Sequence, residues 1–160
     1  MKKAIALLLV LLVGGTVAVS AALWTKMDKM SFRTDIVKYS GEAQRSGDGI
    51  LATYRGQTTR ILNSNVDRLI WALSIGEGKR RLQLTDKKSV GDAVTVQFSD
   101  KLKITVFPID ENSDQVFILY EAPGKTRRYT LEGYKSMEWL EKIVSPEGYW
   151  EPNEIVETKS

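Results

Sequence analysis

Asp110, Asn112 and Asp114 stand at alternate positions, the spacing at which a calcium loop presents its first oxygen ligands. Glu121 falls where that loop places its closing bidentate carboxylate. The pattern fails at the sixth place, Gln115, where the loop needs glycine for its sharp turn, and at residues 116–120, which are apolar. A polar turn between two strands is what these residues support. Gly76-Glu77-Gly78 is no phosphate loop, because such a loop needs a strand before its glycines and a helix after them. Here the glycines follow a helical pattern and stop it.

The chain has no histidine and no cysteine. Those absences remove imidazole acid–base catalysis, Ser-His-Asp and Cys-His pairs, nearly all zinc sites and every disulfide. No serine is followed three residues later by lysine, so the Ser-Lys hydrolase pattern is missing as well. Carboxylates, tyrosine and lysine remain. A carboxylate pair can hydrolyse a glycosidic bond when its two acids stand at a set separation, which spacing along the chain does not give. No cofactor and no metal are expected.

The uneven charge is the functional signal. Within residues 79–88, Lys79, Arg80, Arg81, Lys87 and Lys88 face a single acid, Asp86, a net of +4. Lys125, Arg127 and Arg128 add a second basic run, whereas Glu132 to Ser160 carries seven acids against three lysines. A basic patch attracts anionic polymers or lipid headgroups within a screening length of roughly 8 Å in physiological salt. The bland alternative is that these side chains guard a sheet edge against association. Lys79, Arg80, Arg81, Arg127 and Arg128 are the candidate binding residues.

Where such a patch would work depends on the N-terminus. Ala4 to Leu23 carries no charge and follows Lys2 and Lys3. At about 1.5 Å per residue a helix of this length spans roughly 30 Å, the hydrocarbon thickness of a bilayer. Trp24 and then Lys26 suit a helix leaving the headgroup layer. The same stretch also reads as a cleaved signal peptide: a basic start, an apolar run to Val13, and small residues at Val19-Ser20-Ala21. The anchor is adopted for the length of the run and the tryptophan after it. Both readings put the remainder outside the cytoplasm, where nucleic acid is not a partner. The aromatics do not interleave with the basic run either.

The expected organisation is a transmembrane anchor or signal peptide over 1–23, a juxtamembrane stalk over 24–48, one domain over 49–146 and a polar tail over 147–160. Residues 26–39 suit either helix or strand. Ile50–Tyr54 and Thr58–Leu62 read as strands around a three-residue turn, Arg55-Gly56-Gln57. Val66, Leu69, Ile70 and Leu73 recur at helical spacing after Ser64, which is placed to accept from the N–H of Asp67. Residues 79–84 suggest a short strand. Ala93–Phe98 and Leu102–Ile109 alternate, and directly opposed residues share a face, so Phe98 should oppose Leu102 and Val96 oppose Ile104. Gln115–Ala122 is apolar on both faces, Pro123-Gly124 suits a type II turn, and a strand returns over Lys125–Leu131. A second helix over Tyr134–Val144 turns Met137, Leu140, Ile143 and Val144 inward. Tight turns between successive strands make an antiparallel sheet.

The fold expected is α+β, with five to seven strands and two helices. The function expected is a non-catalytic, membrane-tethered extracytoplasmic module binding an anionic envelope component. The alternatives are a small envelope hydrolase using carboxylates and a regulator touching a neighbouring membrane protein.

Overall fold

Alternation in the two most regular strands fixes the centre of the sheet. In the computed structural model, which describes residues 31–74, 79–112, 114–133 and 136–157, β4 (Val94–Phe98) and β5 (Leu102–Pro108) form an antiparallel hairpin. Val96 opposes Ile104 and Phe98 opposes Leu102, the register the pattern requires. All four are buried. Their shared side of the sheet is hereafter the inner face.

Six further strands extend this hairpin. β1 (Ile50–Tyr54) pairs with β4 and with β2 (Gln57–Ile61). β6 (Gln115–Ala122) and β7 (Lys125–Glu132) continue the sheet beyond β5, and β3 (Lys79–Leu82) forms its far edge. β8 (Glu154–Ile155) lies against β2 at the other edge. The order is β3-β7-β6-β5-β4-β1-β2-β8, and every pairing is antiparallel. The sheet thus has eight strands where the sequence suggested five to seven. The added strand is β8, two exposed residues with no periodicity to read.

The β1–β2 turn is shorter than its residues suggested. Tyr54 pairs with Gln57, leaving only Arg55 and Gly56 in the loop, with φ of 49° and 76°. Two positive φ values in succession make the primed turn whose twist matches the strands it joins. Gly124, at φ 69°, takes the type II position after Pro123.

Among the described residues, three helices lie on the inner face. Residues 31–46 are helical (α1). Asp35 of this helix accepts from the phenol of Tyr120, which faces inward between Ile118 and Ala122. α2 (Asn63–Ser74) packs on α3 (Ser136–Val144), which in turn meets β1, β5 and β6. Val66, Leu69 and Leu73 of α2 are buried, as are all four inward residues expected of α3. Two helices were expected; α1 is the third. The segment 35–160 is one compact unit.

Ser64 does not cap α2 as expected. The helix already begins at Asn63, and the Ser64 hydroxyl donates instead to Glu151 at 2.7 Å. The C-terminal segment is tied down here. Asn65 and Asn153 are both buried, and the Asn65 amide donates to the carbonyl of Glu151 and to the side chain of Asn153. Asn153 in turn accepts from the N–H of Leu62 and donates to the carbonyls of Ile143 and Ser145. Buried amides cost little only when satisfied in this way.

Among the described residues no helix is long and apolar enough to cross a membrane. The anchor or signal segment, 1–23, and the glycine stop at 76–78 lie outside the described residues.

Candidate functional site

The two basic runs are neighbours in the sheet. β3 pairs with β7 in the register Arg80↔Leu131, Arg81↔Thr130 and Leu82↔Tyr129, so residues some fifty apart in sequence become adjacent. Because side chains alternate along a strand, each run is divided between the two faces. Arg80 and Arg127 lie on the inner side, Arg81 and Arg128 on the outer side. Lys79 is the first residue of β3, opposite Glu132.

The five predicted residues therefore meet different surroundings. The Arg80 guanidinium lies over the Tyr129 ring, 5.2 Å from its centroid, and its Nε is buried. Arg127 donates to the carbonyl of Thr126 at 3.1 Å. Arg128 is held by Asp86 at 2.7 Å. Arg81 reaches Glu132 at 3.6 Å, with both side chains more than half exposed, a geometry that contributes little.

Arg81 lies on the outer face of the sheet, by alternation along β3. That face carries Thr53 and Thr58 with their hydroxyls 3.0 Å apart, the Thr95–Thr105 pair, and Phe107 against Phe117 at 5.0 Å. No helix covers it. β3 and β4 run in the same direction with β7, β6 and β5 between them, so their connection, residues 83–93, must cross the sheet. It does so on the outer face. Gln83 donates to the Thr130 hydroxyl, Asp86 takes Arg128, and the N–H of Val90 donates to the carbonyl of Pro108.

Beneath this crossover is a cavity of about 490 Å³. Arg81, Lys87 and Lys88 bring three cations to it, against the single carboxylate of Glu132. Gln83, Gln115 and Thr130 add neutral hydrogen-bonding groups, and Ile109 an apolar wall. Lys87 and Lys88 are exposed and make no ion pair among the described residues. The arrangement can neutralise an anion and orient it by hydrogen bonds. Lys87 and Lys88 were visible only as part of a basic decade. Nothing in sequence places Gln83, Gln115 and Thr130 beside them, because that depends on the β3–β7 pairing.

The other titratable group of note is structural. Tyr120 donates to Asp35 at 2.6 Å and Lys125 to the same oxygen at 3.0 Å, which fastens α1 to the β6–β7 hairpin. Burial, and then the bond to Asp35, push the Tyr120 phenol well above its usual range. At the calcium-like stretch, Asp110 accepts from the N–H groups of Asp114 and Gln115, the bonding of a tight polar turn. Among the described residues, no cluster of acids is suited to hold a metal ion. Comparison with family models, with curated proteins and with solved structures returns no match to this chain.

Proposed function

We propose that this protein is a non-catalytic binding module that takes an anionic component of the cell envelope, wall polymer or lipid headgroup, into the basic cavity under the 83–93 crossover. In this reading residues 4–23 tether it to the membrane, or direct its secretion, and the cavity works on the extracytoplasmic side. One observation carries the reading: Arg81, Lys87 and Lys88 converge on one 490 Å³ cavity with a single carboxylate against them. Edge protection alone would need the charges spread along β3, not gathered from β3 and a crossover onto one face. Glycoside hydrolysis would need two carboxylates about the cavity, and among the described residues its lining has Glu132 alone.

The test is titration of the full chain, held in neutral detergent, with poly(glycerol phosphate) and with short-chain phosphatidylglycerol against its choline counterpart. Binding to the anionic probes should weaken steeply between low and physiological salt, as screening shortens the reach of charge. The triple reversal Arg81→Glu, Lys87→Glu, Lys88→Glu should abolish it. Binding indifferent to salt and to the triple reversal rejects the reading.

A further inference from the structure

The helical side of the molecule carries a second surface, built from different residues. Trp71 on α2 meets Trp139 on α3 edge-on at 6.2 Å. Trp139 stacks on Tyr149 at 5.4 Å, and Tyr149 meets Trp150 edge-on at 4.7 Å. Trp150 keeps 60% of its surface in solvent. Two cations lie on these rings. The guanidinium of Arg68 is 5.2 Å from the centroids of both Tyr149 and Trp150, and Lys142 is 5.2 Å from that of Tyr149. Helical spacing sets this up: Arg68 precedes Trp71 by three residues and Lys142 follows Trp139 by three, so each pair shares a flank. The buried amide of Asn65 sets the height of the loop, its oxygen accepting the N–H groups of both Tyr149 and Trp150. The rings are thus held before any ligand arrives.

Neither Arg68 nor Lys142 has a carboxylate within ion-pair reach among the described residues, so both positive charges are available. That settles the class of guest. A cationic or quaternary ammonium ligand would meet two cations already lying on these rings and be repelled. An apolar peptide would strand both cations under it without partners. A flat anionic bilayer would have to approach Glu138, Glu147 and Glu151 together, exposed acids within two residues of the rings in sequence. A small saccharide bearing widely spaced acids avoids all three penalties. Its ring C–H bonds, weakly positive, suit the negative face of an indole. Its carboxylates suit the guanidinium fork of Arg68 and the ammonium of Lys142.

We propose that Trp150, Arg68 and Lys142 form a subsite for an acidic saccharide of the uronate type. The subsite does not rest on the cavity reading and shares no residue with it. The experiment is calorimetric titration of the full chain, in a detergent that carries no sugar, with trigalacturonate, with neutral maltotriose and with short-chain phosphatidylglycerol. Trigalacturonate should bind, and Trp150→Ala and Arg68→Gln should each weaken it by roughly tenfold, the scale of one aromatic or charge-assisted contact. The triple reversal at Arg81, Lys87 and Lys88 should leave that binding unchanged. Trp150 is exposed, so the thermal midpoint of its variant should hold; Arg68→Gln leaves every ring in place and tests the charge alone. The proposal is overturned if trigalacturonate fails to bind, if it binds both variants as well as the parent, or if maltotriose binds equally. Phosphatidylglycerol as the one probe sensitive to Trp150→Ala would overturn it too, assigning the surface to lipid.

Discussion

Asp35, Tyr120 and Lys125 show how one carboxylate can couple a helix to a hairpin and leave a signature in pH. Tyr120 is buried, and its hydroxyl spends its one hydrogen on Asp35. Removing the hydroxyl in Tyr120→Phe should cost about 1.5–3 kcal/mol at neutral pH, the range for a hydrogen bond to a charged group. The pH dependence follows from the raised phenol. The group is neutral in the folded state beyond the pH, about 10, at which an unfolded tyrosine ionises. Its contribution is therefore whole below that pH and is lost as pH rises towards the folded value. Denaturant titrations should show the parent's advantage over Tyr120→Phe shrinking above about pH 10. Tyr54, pushed up to about 12 by burial and then by Glu141, acts with the same sign in both proteins and cancels from the comparison. Gly148 makes the second case at this scale. Its φ is 66°, and a methyl there would collide with the carbonyl of Glu151 and come within 2.6 Å of the Asn65 amide nitrogen. Gly148→Ala should lower stability by roughly 2–4 kcal/mol, read as a fall in thermal midpoint, since it combines backbone strain with a broken amide network. No pattern in the sequence marks either site, because each involves a partner more than eighty residues away, Asp35 for Tyr120 and Asn65 for the turn at Gly148.

The strand hairpins were legible because apolar alternation punishes slippage. Shifting β4 against β5 by one residue would set Phe98 against Lys103, so the pattern admits one register, and that register forms. Ile104 lies at its centre with no exposure. Ile104→Ala should cost about 2–5 kcal/mol, and a thermal midpoint unmoved by it would contradict the strand's place in the core. Elements whose inward positions are not apolar were harder to see. In α1 the buried positions are Phe32, Ile36, Ser40 and Ala43, a helical stripe whose second half is hidden by a polar and a small residue. The Arg55-Gly56 turn was read one residue too long because arginine is an unusual occupant of a positive φ. In β3 two consecutive arginines give no alternation, and its partner β7 lies far along the chain. The candidate cavity inherits that limit: its charges were visible in the sequence, and their meeting point was not.

For the whole molecule the sheet acts as a divider of charge, and this makes Arg80 and Arg81 inequivalent although they are adjacent. As two surface charges they would be interchangeable in any binding test. In the β3–β7 register Arg80 stands opposite Leu131 on the helical side, over Tyr129 and with its Nε buried, while Arg81 stands opposite Thr130 on the side of the cavity. A carboxylate in place of Arg80 would exchange a favourable cation–ring contact for an anion facing the negative face of the same ring, in a partly buried setting. Arg80→Glu should therefore cost roughly 2–3 kcal/mol, the scale of a poorly compensated buried charge. Arg81→Glu should stay within about 0.5 kcal/mol, as an exposed substitution. Binding should divide the other way: Arg81→Glu should weaken the association with anionic polymer at low salt, and Arg80→Glu, measured below its own melting transition, should largely preserve it. Thermal melts and polymer titrations of the two single variants decide this together. Equal effects of the two on stability would mean that β3 is out of register with β7 by one residue. The cations at the cavity would then have to be reassigned to the opposite face.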